Sequence, residues 1–482
     1  MAVSMVCAKK DSRFGVDSRR SWVTAVFLSL TLAAVLIGQH SVGVLFYGIV
    51  HTYGVSRKDA SLPLLLCQSL SFLAGPVMGY LCSRFSCRMV LLVSTFAAGA
   101  TVSSCFFVDN ILYLNILFGI VYGVAACGVH VGANVLVSQH FEKRRATACS
   151  IIYTSLGINS LYLPPLAEFL RVTYGIRGTF LLLGGLILHS LPPTLAVRSP
   201  EWAKPRRQSS GSAVTQPEMN AEVAPNNLLL PENGTQGCHN PDDHEEEFTE
   251  LPHVQTSSSC INDLPSLNST NTSGDKTYMR KATLNTITRE FISMPFVVNA
   301  VSFTIITLGL SAFLLLSVDI AKDKGIAPSS GVFLLNAFAV TDIVMRPLSG
   351  LVIDSGVLSL ESVMLVGYLL QSLVLELFVL LDSFPVMLAL SALFGISNGL
   401  RITLLMPSLT KHFGVDRMPL VLGGVGFWIG VTLITGPFLV GHWRDRLGSY
   451  DGLLHFMAAF NAALAIIWAA KLCLQRRQKP LL

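Results

Sequence analysis

Apolar residues run along this chain in stretches long enough to cross a bilayer, and the polar residues fall between them. A helix that spans the hydrocarbon core needs ~20 predominantly apolar residues. Stretches of that kind run from Trp22 to Phe46, Leu62 to Leu81, Met89 to Phe107, Ile111 to Val137, Ala146 to Leu170 and Gly178 to Leu195. The pattern then changes. From Arg198 to Arg289 the chain is rich in Ser, Thr, Pro, Asn and acid, with Asp242, Asp243, Glu245, Glu246 and Glu247 in one cluster, and it lacks the apolar content to fold alone. Six more apolar stretches follow: Phe291 to Ile320, Gly331 to Ile353, Ser362 to Leu381, Phe384 to Leu409, Pro419 to Val440 and Gly452 to Leu474. The pattern predicts an all-α polytopic membrane protein with 12 transmembrane helices in two six-helix repeats. The expected divisions are a tail over 1–21, a first bundle over 22–197, a disordered cytoplasmic linker over 198–289, a second bundle over 290–474 and a tail over 475–482.

Composition agrees and adds an orientation. Hydrophobic residues make up 51% of the chain and charged residues 13%, about half the charge a soluble domain uses to cover its surface. The first span begins too late and lacks the small-residue cleavage site of a signal peptide. Ten cysteines without paired spacing give neither a disulfide framework nor a zinc site, and the small net charge of +5 does not suggest nucleic acid. Lys and Arg favour cytoplasmic loops. With both termini inside, the inner segments hold twenty-four of the 34 basic residues and the outer loops eight, leaving Arg346 and Arg401 within spans. The glycosylation triplets at Asn233, Asn268 and Asn271 fall in the linker and are read as unused on that orientation.

The halves repeat each other. Pro76 and Gly79 late in span 2 correspond to Pro347 and Gly350 in span 8, an offset of 271. His140-Phe141 before span 5 corresponds to His412-Phe413 before span 11, and Pro165 to Pro437, both at 272. Two parallel six-span repeats joined by a long linker are the plan of the major facilitator superfamily. The end of span 2 resembles that superfamily's motif as well: Gly79, Leu81, Arg84 and Arg88 are kept, while Ser83 stands where an acid is expected. Gly79 would let spans pack closely, and the basic residues would sit at the headgroups.

Charge inside a span is costly, ~2.5–3.5 kcal/mol on insertion scales, and so marks candidate function. Asp342 and Arg346 in span 8 are an i, i+4 pair on one helix face, roughly 16 and 22 Å below the outer end at 1.5 Å per residue. Pro347 follows directly and frees a carbonyl. Such a pair either locks helices together or serves a substrate, and an arginine fork suits a carboxylate. Arg401 in span 10 lies near the depth of Arg346, which gives a local positive excess suited to an anion; the other reading is that it snorkels or meets backbone carbonyls. Glu376 in span 9 is too far toward the outer side to pair with it. His40 in span 1 is a candidate proton carrier, and His130 with Asn134 one turn on suggests polar lining of span 4.

Three segments resemble the monocarboxylate transporter family of that superfamily: Asp342-x-x-x-Arg346-Pro347; Phe141-Glu-Lys143-Arg144-Arg145-Ala146; and Tyr174-Gly175-Ile-Arg177-Gly178-Thr-Phe180, running on to Gly184-Gly185. The resemblance covers nearly all of the chain outside the linker and tails. It implies transport of small monocarboxylates such as lactate or pyruvate, in many members with a proton, with Arg346 holding the carboxylate and Asp342 exchanging the proton. Some members need a single-span immunoglobulin-like glycoprotein to reach the plasma membrane. Two departures stand out. At the entry to span 1 only Asp17 and Trp22 of the family pattern remain, and Gln39-His40-Ser41 replaces the lysine-containing segment of proton-coupled members.

The sequence thus predicts a secondary-active, alternating-access carrier of small organic anions in the plasma membrane, with Arg346, His40, Arg401 and Asn134 on the substrate and Asp342 and His40 on the proton. Gly79, Arg84, Arg88, Arg145, Pro347 and Gly350 are expected to be structural. No enzyme chemistry, metal or cofactor is expected. A pH-independent carrier of an amino acid or hormone-like solute is the alternative, and a transport-silent receptor or scaffold ranks below it.

Overall fold

The computed structural model describes residues 15–200, 291–326, 328–447 and 449–478. The linker, apart from its first three residues, lies outside the described residues, as do most of the N-terminal tail and residues 479–482 at the other end. Every described element is helical. Among the described residues nine helices are long and apolar enough to cross a membrane, and a bent pair, Asp59–Leu73 with Gly75–Arg84, makes a further span with a 45° bend. One of the nine, Arg145–Ala196, has 52 residues. At 1.5 Å per residue it would be ~78 Å long, more than twice the hydrocarbon thickness. It is two spans, divided where Gly175 takes φ 72°, a conformation open to glycine and outside the helical region. That glycine belongs to the Tyr174-Gly175 motif, whose role is therefore the turn between spans 5 and 6. Span 1, in three pieces, completes the twelve.

Span 1 was expected as one helix and is broken at Leu36 and at Ser41 into Arg19–Val35, Ile37–His40 and Val42–Tyr53. Tyr122 of span 4 explains the first break. Its hydroxyl donates to the Val35 carbonyl (2.6 Å) and accepts from the Gly38 N–H (3.2 Å), pairing both backbone groups inside the apolar core. A side chain at residue 38 would put its Cβ 2.8 Å from that hydroxyl, so the clasp needs glycine.

The halves meet along spans 2 and 11 and along spans 5 and 8, and their tightest approaches lie toward the side assigned as inner by charge. A Cβ on Gly75 would fall 2.4 Å from the Gly423 carbonyl oxygen, and one on Gly79 would fall 2.2 Å from that of Pro419. On the other seam, a Cβ on Gly350 would lie 2.4 Å from Ser150 Oγ and 2.7 Å from the Ala146 carbonyl. Only residues without a side chain permit backbones this close. The conserved offset of 271 between the two halves thus corresponds to a physical pair of seams, one at each Pro-x-x-Gly segment.

Carboxylates complete the inner closure. Asp354, at the end of span 8 (Pro328–Asp354), accepts from the backbone N–H groups of Ala146 (3.2 Å) and Thr147 (2.7 Å) at the start of span 5. Asp17, itself at φ 58°, accepts from the N–H groups of Lys143 (2.9 Å) and Arg144 (3.1 Å). Trp22 packs edge-on against Phe141 at 4.8 Å. The two residues kept at the entry to span 1 therefore both hold the Phe141–Arg145 turn. Ser83, the position of Asp354 in the other half, donates within its own helix to the Gly79 carbonyl (2.9 Å), so that position supplies no carboxylate cap to its seam. Arg88 donates to the Leu195 carbonyl (3.0 Å) and Arg145 to that of Phe141 (3.0 Å), local ties in keeping with structural roles.

A cap of this kind is worth ~1 kcal/mol, with up to another ~1 from the helix dipole. Asp354→Ala is expected to shift the equilibrium away from the closed inner side by roughly 5- to 30-fold. Hydrogen exchange of the amides over residues 143–150 should accelerate accordingly; protection equal to wild type would show that Asp354 does not hold the seam.

Candidate functional site

Between the halves lies a cavity of about 240 Å³. Spans 1, 2, 4 and 5 line it from the first half and spans 7, 8, 10 and 11 from the second, the same four helices of each repeat. Its position follows from the helix rise. Arg346 is eight residues from the inner end of span 8, ~12 Å, and Leu314 is twenty residues along span 7 from Met294, ~30 Å. The cavity therefore lies at mid-span and toward the end of the helices opposite the glycine seams.

Arg346 is the one cation among the described lining residues and is 6% exposed. Its Nη2 is 2.7 Å from Asp342 Oδ2, and its Nη1 donates to the Tyr153 carbonyl of span 5. Asp342 is 2% exposed, does not line the cavity, and accepts at Oδ1 from Asn398 Nδ2 of span 10 (2.8 Å). The pair on span 8 is thus held from spans 5 and 10, as a buried ion pair requires if its remaining hydrogen-bonding groups are to be met. Arg346 Nε is itself buried and has no partner. Close packing brings this about. A Cβ on Gly157 would lie 2.8 Å from Ile343 Cγ1 and 3.1 Å from Arg346 Nη1, and one on Gly399 would lie 2.5 Å from the Asp342 carbonyl. These two glycines let spans 5 and 10 reach span 8 at the level of the pair.

His40 lines the same cavity, and its Nδ1 is 3.0 Å from Ser160 Oγ of span 5, an exposed position. The break in span 1 sets it there. Next to it Gln39 also lines the cavity and its Nε2 has no partner. His130 lines the cavity too, edge-on to Phe72 at 5.6 Å and to Tyr153 at 6.4 Å.

Two of the expected binding residues are elsewhere. Asn134 is fully buried, donates to the His130 carbonyl one turn back (2.8 Å) and is not among the lining residues. Arg401 is 1% exposed and faces the interior of the second half. It donates to Gln371 Oε1 of span 9 (2.7 Å), to the Ser397 carbonyl (2.9 Å) and to Ser397 Oγ (3.1 Å), and its Cζ sits 4.5 Å from the Tyr368 ring centre. The local positive excess expected from Arg346 and Arg401 together is therefore not assembled in one place. Their depths are similar, but Ile402, ~100° round the helix from Arg401, is the residue that lines the cavity. Glu376 accepts from or donates to neither; it meets His455 Nδ1 of span 12 at 2.8 Å. Sequence reasoning missed Gln68, Ser71, Thr307 and Ser311, which line the cavity as polar pairs at i, i+3 and i, i+4, a signal readable in otherwise apolar spans.

Comparison with known proteins matches this geometry to a family. The family model for the Major Facilitator Superfamily matches residues 25–316 and 296–481. Monocarboxylate transporter 3 of Rattus norvegicus is 24% identical over 448 residues, 92% of this chain and 78% of that protein. Monocarboxylate transporter 12 of Homo sapiens is 22% identical over 82% of this chain and 70% of its own length. Among solved structures, the proton:xylose symporter XylE bound to 6-bromo-6-deoxy-D-glucose shares 13% identity and a TM-score of 0.64, covering 93% of this chain and 95% of its own. With both halves matched by one family model and the fold shared with a solved member, this multi-pass membrane chain belongs to the Major Facilitator Superfamily.

Proposed function

We propose that the protein is an alternating-access carrier of small organic anions, specifically monocarboxylates, in the plasma membrane, with its termini and linker cytoplasmic. The observation that carries this reading is Arg346: a buried guanidinium on the wall of a cavity between the halves, fixed by Asp342 and the Tyr153 carbonyl. A substrate carboxylate that meets the guanidinium from the cavity takes the charge of the site from zero to minus one. Protonation of Asp342 or His40 restores neutrality, which is the physical reason to couple a proton to the anion. With the inner seams closed, substrate enters from outside; separation of Gly75 from Gly423 and of Gly350 from Ala146 then opens the path inward. The relatives named as monocarboxylate transporters support the substrate class. Arg401 and Asn134 are assigned to packing within their own halves. The ancillary glycoprotein implied by the resemblance remains part of the reading for surface delivery.

The test is uptake of labelled monocarboxylates, lactate and pyruvate included, by cells expressing the protein, with cytosolic pH recorded. Substrate-induced acidification that disappears in Asp342→Asn supports proton symport, and carboxylate uptake with no pH change supports the pH-independent carrier instead. For His40, a charged ring in the same cavity as Arg346 would favour the anion, so uptake should rise as pH falls. His40→Gln is expected to flatten that rise. A profile identical to wild type would remove His40 from the mechanism.

A further inference from the structure

The cavity's size, its ring-bearing wall and the state of its acid carry the substrate class further; the inference rests on the proposed reading that Arg346 holds a carboxylate. At about 240 Å³ the cavity approaches the ~300–1,000 Å³ of sites that take drug-sized ligands and bury ~70–90% of their surface. A three-carbon acid with six heavy atoms is much smaller than such ligands and would leave part of the apolar wall uncovered.

The wall next to the guanidinium is aromatic. Tyr153, whose carbonyl accepts from Arg346, is edge-on to His130 at 6.4 Å, and His130 to Phe72 at 5.6 Å. All three line the cavity, and Phe303, Ile402 and Ile429 face them from the second half. Aromatic lining from the first half and aromatic and aliphatic lining from the second suit a ring, whose edge or face the aromatic groups accept.

A second charge on the substrate has nothing to meet. Among the described residues no Asp or Glu lines the cavity. The nearby acid is engaged on both oxygens, Oδ2 with Arg346 (2.7 Å) and Oδ1 with Asn398 (2.8 Å). The polar lining groups are neutral amides and hydroxyls, such as Gln39, Gln68 and Thr307, beside the two histidines. An α-ammonium group would enter without a counter-ion.

We infer that the substrate is a ring-bearing monocarboxylate without an ammonium group, its carboxylate on Arg346 and its ring against Phe72, His130 and Tyr153. Each additional buried methylene is worth about fourfold in affinity, so a ring should bring at least ~10-fold over a three-carbon acid.

The test is thermal stabilisation of the full-length, detergent-solubilised protein titrated with lactate, 3-phenylpropionate, phenylalanine and 3-phenylpropanamide. The expected result is an affinity for 3-phenylpropionate at least tenfold above the other three, lost in the charge-neutral double variant Asp342→Asn, Arg346→Ala. Thr307→Phe, which adds a ring to the wall, should narrow or reverse the preference for 3-phenylpropionate over lactate. Lactate binding as tightly as 3-phenylpropionate, still dependent on Arg346, would overturn the ring and leave the carboxylate carrier standing. Phenylalanine binding as tightly would overturn the exclusion of the ammonium group. Binding of the amide equal to that of the acid, or binding of acids indifferent to the double variant, would overturn the carrier reading itself.

Discussion

Uptake of the transported carboxylate is expected to fall by at least ~30-fold in Arg346→Ala. Truncating one partner of a buried, hydrogen-bonded charge pair costs ~2–5 kcal/mol, which corresponds to roughly 30-fold to more than 1,000-fold in binding. Here the loss is twofold. The substrate loses its one lining cation, and Asp342, 2% exposed, is left with Asn398 alone. That stranded carboxylate must bind a proton or destabilise the protein by ~3–5 kcal/mol. The single variant therefore confounds binding with folding, and Asp342→Asn, Arg346→Ala separates them. With both charges gone, the double variant should recover thermal stability and reach the membrane, yet still fail to carry the anion. Arg346→Lys tests geometry at constant charge. An ammonium can meet Asp342, but it lacks the fork that serves Asp342, the Tyr153 carbonyl and a substrate together, so uptake should drop at least ~10-fold. Wild-type uptake in the double variant would end the assignment of Arg346 to the substrate.

The Asp342–Arg346 pair was legible in the sequence because a charge in an apolar span is costly and because i, i+4 spacing puts both groups on one face. The same rule selected Arg401, and there depth alone could not say which way the side chain turns. Arg401 is absorbed by Gln371, Ser397 and Tyr368, residues of spans 9 and 10 whose mutual approach no local pattern records. The break in span 1 escaped for a similar reason. Nothing between Val35 and Gly38 stops a helix as proline would; the break is possible because Tyr122, 84 positions beyond Gly38, pairs the freed backbone groups. The duplicated architecture was readable to within one residue because the anchors that repeat, Pro76 to Gly79 and Pro347 to Gly350, sit at the seams where backbones touch. Asp354 is the repeat mate of the missing acid at Ser83. The departure at Ser83 leaves that position without a capping carboxylate, while its counterpart caps the start of span 5 on the other seam.

Gly423→Val is expected to stop transport almost completely while leaving each six-helix half folded. A Cβ at residue 423 would lie 2.2 Å from the Gly75 carbonyl oxygen, 2.7 Å from its carbon and 3.1 Å from Pro76 N. All three are backbone atoms, so no rotamer change relieves the overlap, and spans 2 and 11 must separate by more than ~1 Å to reach ordinary contact distance. Overpacking of this kind costs ~1–3 kcal/mol or more. The cost falls on the closed inner side alone, because the contact is between halves and is broken when that side opens. Helix propensity does not oppose the change, since valine is a better helix former than glycine. The variant should therefore accumulate open toward the inside, with faster hydrogen exchange over residues 70–84 and 418–426 and uptake reduced by two orders of magnitude. Gly423→Ala, which adds the Cβ alone, should give an intermediate loss. Gly185→Ala is the control: no atom lies within 4 Å of the added carbon, and its uptake should match wild type. Full transport by Gly423→Val would mean that the carrier cycles without bringing spans 2 and 11 together, and the seam would lose its place in the mechanism.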